Sequence, residues 1–269
     1  MSRKPADPMP GMPADPMPGM PADPMPETPA DPMPETWLPV PWPPRLTAPG
    51  GEPGRGRFIT LEGGEGAGKT TQIRLLEEAL TACGVPVVAT REPGGSPGAE
   101  EIRRLLVSGE PGRWSGITEM LLHTAARRDH LERVVWPALA AGCWVLSDRF
   151  ADSTLTYQGH GHGVPMAMLE AIHAQAIGNF TPDLTLILDL PVEEGLQRSR
   201  GHSQDEDRYE QMDIAFHCRI REGFQSLARR WPWRCVLIAA NHPPEQVQTA
   251  ILSAVTGRLT FPPPLPERV

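Results

Sequence analysis

Gly63-Gly64-Glu65-Gly66-Ala67-Gly68-Lys69-Thr70 is the stretch on which the reading of this chain turns. It has the spacing Gly-x-x-x-x-Gly-Lys-Thr, follows a short apolar run from Phe58 to Leu61, and opens a helical pattern from Thr70 to Ala82. Glycines let a backbone wrap so tightly that successive N–H groups and the N-terminus of the next helix face phosphate oxygens. The run from Gly63 through Gly64, Glu65, Gly66, Ala67, Gly68, Lys69 and Thr70 to Thr71 is therefore expected to cradle the phosphates of ATP or GTP. Lys69 would reach the β- and γ-phosphates, and the Thr70 hydroxyl would ligate Mg2+. The motif does not choose among kinases, GTPases and motor or transport ATPases.

Outward from this loop, short β-type runs alternate with longer helical ones. The strands expected are Phe58 to Leu61, Val85 to Ala89, Trp144 to Leu146, Leu184 to Leu188 and Val236 to Ala239. Helical patterns cover Thr70 to Ala82, Gly98 to Val107, Ile117 to Ala141 with Pro137 interrupting, Pro165 to Ile177, Val192 to Arg200, Tyr209 to Trp231 and Glu245 to Val255. Strands separated by helices predict an α/β domain of three layers, a five-stranded parallel sheet with helices on both faces. In such sheets ligands bind outside the carboxyl ends of the strands. Two acids stand there, Asp148 and Asp189, and either can hold Mg2+ directly or through water. Asp148 is favoured because Arg149 follows it, which gives one strand end both a metal-side acid and a phosphate-side cation. A guanine-reading Asn-Lys-x-Asp is absent from the sequence, which counts against a GTPase.

Composition separates this domain from its surroundings. Of 33 prolines, 18 fall in residues 1–53, together with 7 of the 11 methionines. Pro-Ala-Asp-Pro-Met-Pro recurs four times there with a period of eight. Proline at that density removes backbone donors and fixes φ, so a disordered or polyproline tail is expected over 1–53. The domain should then occupy 54–260, with a second Pro-rich tail over 261–269. The net charge of -8 argues against a general nucleic-acid binder. Four cysteines without Cys-x-x-Cys spacing suit reduced thiols, and no apolar run approaches the ~20 residues of a membrane span. A soluble cytoplasmic protein is expected.

Beyond the loop, the domain carries Thr90-Arg91-Glu92-Pro93-Gly94-Gly95, Ala125-Ala126-Arg127, Asp148-Arg149-Phe150, Ser153 to Gly159, Pro182-Asp183-Leu184 and Asp207-Arg208-Tyr209-Glu210, in that order. From Arg57 to Val255 these motifs resemble bacterial thymidylate kinase, a P-loop enzyme that phosphorylates dTMP to dTDP with ATP and Mg2+. The resemblance implies a homodimer packed through helices. It also implies roles for particular residues. Glu65 is placed to accept a hydrogen bond from the acceptor's 3'-hydroxyl, and Arg149 to hold the acceptor phosphate as a planar, bidentate donor. Arg127 would read a thymine carbonyl. Ser153, Thr154, Tyr157 and Gln158 would line the thymine and deoxyribose, with the Tyr157 ring excluding a ribose hydroxyl. Thr70 and Asp148 are the expected metal ligands.

A short arginine-containing lid is expected from Arg198 to Arg208, because mobile cations that close over a phosphoryl group neutralise it and exclude water. Gly66 stands where another branch of the family has an arginine, so the lid arginines Arg198, Arg200 and Arg208 are the expected source of that charge, beside Lys69 and Arg149. Three histidines depart from the family pattern. His123 replaces a phenylalanine that stacks on thymine, His162 stands where a bacterial relative has arginine, and His202 replaces a further lid arginine. With an unperturbed pKa of ~6.5, His123 predicts dTMP binding that weakens below neutral pH.

Overall fold

A computed structural model describes residues 55–199 and 208–260. Its centre is a sheet of β1 (Phe58–Gly63), β2 (Val87–Arg91), β3 (Trp144–Asp148), β4 (Leu184–Asp189) and β5 (Cys235–Ala239). The strands lie in the order β2-β3-β1-β4-β5, and every pair is parallel. β1 is central and buried along all six residues, which a strand covered on both faces requires.

Alternation along β1 sends Ile59 and Leu61 to one face, where they pack with Ile73, Leu76 and Leu80 of α1 (Lys69–Ala82) and Val247, Ile251 and Val255 of α9 (Pro244–Arg258). Phe58 faces the other way and joins Val145, Phe150, Ile177 and Phe180. Beside them Tyr157 and Ile187 pack against Phe216, Ile220 and Phe224 of α8 (Ile214–Arg230). With α1 and α9 on one face and α8 and its neighbours on the other, the sheet is the middle of a three-layer α/β fold. The remaining helices are α2 (Pro97–Val107), α3 (Gly116–His130), α4 (Trp136–Ala140), α5 (Ala151–Thr154), α6 (Met166–Ile177) and α7 (Val192–Ser199).

Four local differences from the sequence expectation have physical causes. β2 begins at Val87, after Pro86, whose carbonyl accepts from Trp144 N while the proline has no N–H to give. The long helix ahead of β3 is broken into α3 and α4 by a π-helical turn over Leu131–Val135. Ala151–Gly161 is helical, as α5 and a π-helical continuation, where no helix was expected. α8 starts at Ile214 and not at Tyr209, because the Asp213 side chain caps it by accepting from Phe216 N at 2.6 Å. The four cysteines are free, and no described helix is long and apolar enough to cross a membrane. The expected tails over 1–53 and 261–269 lie outside the described residues.

Candidate active site

Between β1 and α1 the chain turns through Gly66 at φ 66° and Gly68 at φ 89°, left-handed backbone that favours glycine. At Gly66 a Cβ would also lie 2.0 Å from the Gly195 carbonyl oxygen of α7, so this position admits no side chain in this backbone. Lys69 folds back over the loop and donates from Nζ to the Gly64 carbonyl at 2.9 Å and the Gly63 carbonyl at 3.3 Å. Burial, reinforced by Arg149, pulls its pKa down. Thr70 Oγ1 donates to Asp148 Oδ2 at 2.9 Å, so two hard oxygens meet where donor phosphates would end. That pair suits Mg2+, which commonly takes one or two protein oxygens and fills its remaining positions with phosphate and water. Asp189 is diverted: Arg221 grips both of its oxygens, at 2.7 and 2.9 Å, on the α8 side of the sheet.

Arg149 sits at the hinge of the site. It is the sole non-glycine residue with positive φ among the described residues, at 70°. Its guanidinium donates to Glu65 Oε1 at 3.0 Å, to the Gly63 carbonyl at 3.1 Å and to Ser153 Oγ at 3.3 Å, and it stacks on the Tyr157 ring at 4.9 Å. Tyr157 donates its hydroxyl to the same Glu65 oxygen at 2.7 Å. Burial alone would raise the Glu65 pKa, but Arg149, Lys69 and the Tyr157 hydroxyl outweigh it and hold the carboxyl at about 2. The loop acid is therefore charged and shared by two neighbours.

Beyond Arg149 lies a second cleft, lined by His123, Arg127, Ser153, Thr154, Tyr157 and Gln158, among others. All of the expected acceptor residues meet here. Arg127 is 4% exposed; it donates from Nε to Glu92 at 2.8 Å and from Nη2 to Thr154 Oγ1 at 3.0 Å, and it lies over the Phe150 ring. Gln158 Nε2 donates to Glu119 at 3.0 Å. His123 Nε2 stands 3.3 Å from the Tyr209 hydroxyl. Burial, then the Arg127 cation, pushes the His123 pKa down to about 3, so the expected titration near neutrality does not arise from this ring.

Of the lid arginines, Arg198 lines the donor cleft from α7, donating to the Ala240 carbonyl at 3.3 Å and pairing with Glu194. Arg200 and His202 lie outside the described residues. Arg208 corrects the expectation of a mobile cation. It is 3% exposed, paired with Glu119, and bonded to the carbonyls of Leu106 at 2.8 Å and Glu110 at 3.4 Å. Glu119 is fully buried, and such a carboxylate needs a partner. His162 also serves it, with Nε2 at 3.3 Å. Burial opposes that charge, but His162 and Arg208 prevail and hold Glu119 at about 2.

A thymidylate kinase family model matches residues 61–251. The chain belongs to the thymidylate kinase family. It is 54% identical over 205 residues to the thymidylate kinase of Caulobacter vibrioides, covering 76% of this chain and 98% of that relative. For the Dinoroseobacter shibae thymidylate kinase the identity is 50% over 201 residues, covering 75% and 97%. The crystal structure of thymidylate kinase from Ehrlichia chaffeensis superposes with a TM-score of 0.61 at 33% identity, covering 75% of this chain and 99% of that one. The five-stranded parallel sheet with its surrounding helices is thus the fold of this kinase family.

Several residues of the site carry no role in the sequence reading. Glu92 holds both Arg127 and His130, the latter at 3.0 Å, while His130 reaches Thr90 at 2.7 Å. Thr90 and Glu92 fall in a quoted motif, but its spacing does not say that it buttresses an arginine 35 positions later. Tyr209 is drawn in by Glu119 at 3.1 Å, a contact between distant segments. Glu62 falls just past the strand expected over Phe58 to Leu61 and was given no role.

Proposed function

We propose that the chain transfers the γ-phosphoryl of ATP to the phosphate of dTMP, giving dTDP and ADP. One observation carries this reading: Glu65 and Arg149 line both the donor cleft and the acceptor cleft, so the same pair stands between two anionic substrates. In-line transfer needs its two substrates aligned and their charge neutralised, with little covalent chemistry from the protein. Lys69 and the loop amides would hold the donor's β- and γ-phosphates. Arg198 would supply further charge from α7, with Arg200 completing the lid. Arg149 would take the acceptor phosphate, and its tie to Glu65 would fix the distance between acceptor and loop.

Thr70 and Asp148 would hold Mg2+, which would supply positive charge to neutralise the donor's phosphate oxygens. In the acceptor cleft Arg127, held rigid by Glu92, would donate to a thymine carbonyl while Thr154 and Gln158 line the base. His123 would lie against the ring as a neutral aromatic. The hydroxyl end of Tyr157 is committed to Glu65, which leaves its ring to crowd the sugar.

A homodimer is the assembly we favour. Leu105 of α2, Ile117 and Leu121 of α3 and Met168 of α6 are between 40% and 50% exposed on neighbouring helices, an apolar face suited to a second copy of the chain. We place this assembly in the cytoplasm. The decisive assay couples ADP release to each nucleoside monophosphate in turn, with MgATP in excess. The expected result is turnover with dTMP far above that with AMP, GMP, CMP or UMP. A faster reaction with another monophosphate moves the assignment to that acceptor, and turnover with none removes it.

A further inference from the structure

Glu62 is the penultimate residue of β1, directly before the phosphate loop opens at Gly63. Strand alternation sets it, with Phe58 and Thr60, on the face toward the Phe150–Ser153 segment, and it is completely buried. It lines neither substrate cleft. An acid with no contact to solvent or substrate is costly to keep unless its oxygens are used. Both are. Oε1 accepts from Phe150 N at 2.8 Å, and Oε2 accepts from Ser153 Oγ at 2.6 Å.

These two bonds bracket the turn that carries Arg149. Its left-handed backbone is unfavourable for a side-chain-bearing residue and persists where the surroundings over-determine it. Arg149 N donates to the Leu61 carbonyl at 3.0 Å, Ser147 Oγ donates to the Arg149 carbonyl at 2.8 Å, and Glu62 holds the next amide. Ser153 extends the chain, because the oxygen that donates to Glu62 also receives Arg149 Nη1. Backbone and guanidinium of Arg149 are thus both tied to one carboxyl. Burial, then the neighbouring Asp152, raises the Glu62 pKa to about 8. The Ser153 hydroxyl, the Arg149 cation and the Phe150 amide oppose that rise.

We propose that Glu62 is a positioning residue for phosphoryl transfer, pinning the Phe150 to Ser153 turn so that the Arg149 guanidinium is aimed at the acceptor phosphate. The proposal rests on the reading of Arg149 as the acceptor-phosphate arginine. Its test is steady-state kinetics of the full chain with MgATP and dTMP for Glu62→Ala, Glu62→Gln, Arg149→Ala and the double variant Glu62→Ala/Arg149→Ala, each with a melting curve. Glu62→Ala is expected to lower kcat/KM for dTMP about 10²-fold while the KM for ATP stays within about twofold, since small displacements of a catalytic cation cost that much. Glu62→Gln keeps an acceptor for the Phe150 amide and should lose about three- to tenfold. In the Arg149→Ala background, Glu62→Ala should cost nothing further, the mark of a residue acting through another.

Parental dTMP kinetics in Glu62→Ala would overturn the proposal, and so would a loss in the Arg149→Ala background equal to that in the parent. If Glu62→Ala does not melt cooperatively, Glu62→Gln carries the test, and kinetics identical to the parent's then overturn it. Arg149→Ala with unaltered dTMP kinetics would remove the Arg149 assignment and this proposal together. Impaired Arg149→Ala beside unaffected Glu62 variants would remove the proposal alone.

Discussion

Lys69 is parked on the carbonyls of its own loop at 2.9 and 3.3 Å, held as a buried cation until a better anion arrives. Its contribution belongs to charge stabilisation and not to the core, so Lys69→Ala is expected to cut kcat about 10²- to 10³-fold and to keep a cooperative melting transition. Near-parental turnover in the folded variant would refute that role. His123 shows how far a residue's surroundings can override its type. Arg127 and Arg149 oppose its protonation, Glu119 and Glu92 favour it, Tyr209 lies within contact, and desolvation by burial dominates. The folded pKa of about 3 lies below the ordinary 6.5, so between those values the unfolded chain binds the extra proton and stability falls as pH falls. His123→Phe should remove that component. Denaturant unfolding from pH 7 to 4 should therefore show a flatter loss of stability for the variant, and matching slopes would mean that the ring protonates freely in the folded protein. Glu65 and Glu119, both held at about 2, act in a lower window, where their stabilisation is lost as pH drops from 4.5 through 2.

α7 is the element that couples the phosphate loop to the far wall of the donor cleft. Gly66 and Gly195 bring the two backbones together: a Cβ on Gly195 would stand 2.5 Å from the Glu65 carbonyl oxygen. Gly195→Ala must therefore push α7, and Arg198 with it, off the loop. The expected outcome is a KM for ATP raised about tenfold with a smaller change for dTMP, measured with the other substrate saturating. An unchanged KM for ATP would show that the helix yields without disturbing the cleft. The same contact excludes an arginine from position 66 in this backbone, in keeping with the proposal that Arg198 of α7 supplies the cation. α1 and α9 were legible in the sequence because their apolar residues, Ile73, Leu76 and Leu80 in one and Val247, Ile251 and Val255 in the other, recur every three or four positions and enter one layer. The start of α8 was not: Tyr209, where the helix was expected to begin, is claimed with Arg208 by the buried Glu119, and Asp213 caps the helix further on. The helical turn over Ala151–Gly161 was hidden for a similar reason, since Asp152 is committed to Arg234 at 2.6 Å and Tyr157 to Glu65 at 2.7 Å.

For the whole molecule, the exposed apolar residues on α2, α3 and α6 yield a prediction about assembly. Leu121, half exposed on α3, should be central to that face, so Leu121→Glu is expected to shift the proposed dimer to monomer in analytical ultracentrifugation. A dimer that survives the change must use another surface. The proline repeat leads to a second expectation: a chain lacking residues 1–53 should melt and turn over as the parent does, because that composition has no core to contribute. A drop of several degrees would mean that part of residues 1–53 supports the domain. Local sequence was sufficient for the phosphate loop, the parallel sheet and nucleotide binding, because glycine geometry, strand alternation and the Lys69-Thr70 pair are encoded within a few consecutive residues. Folding was needed to choose among side chains of equal chemical promise. It gave Asp148 to Thr70 and Asp189 to Arg221, buried Arg208 against Glu119, neutralised His123, and set Glu62 beneath Arg149. Each of those outcomes depends on which charge lies within a few ångströms and how much water remains, and both are properties of segments that meet only when the chain is folded.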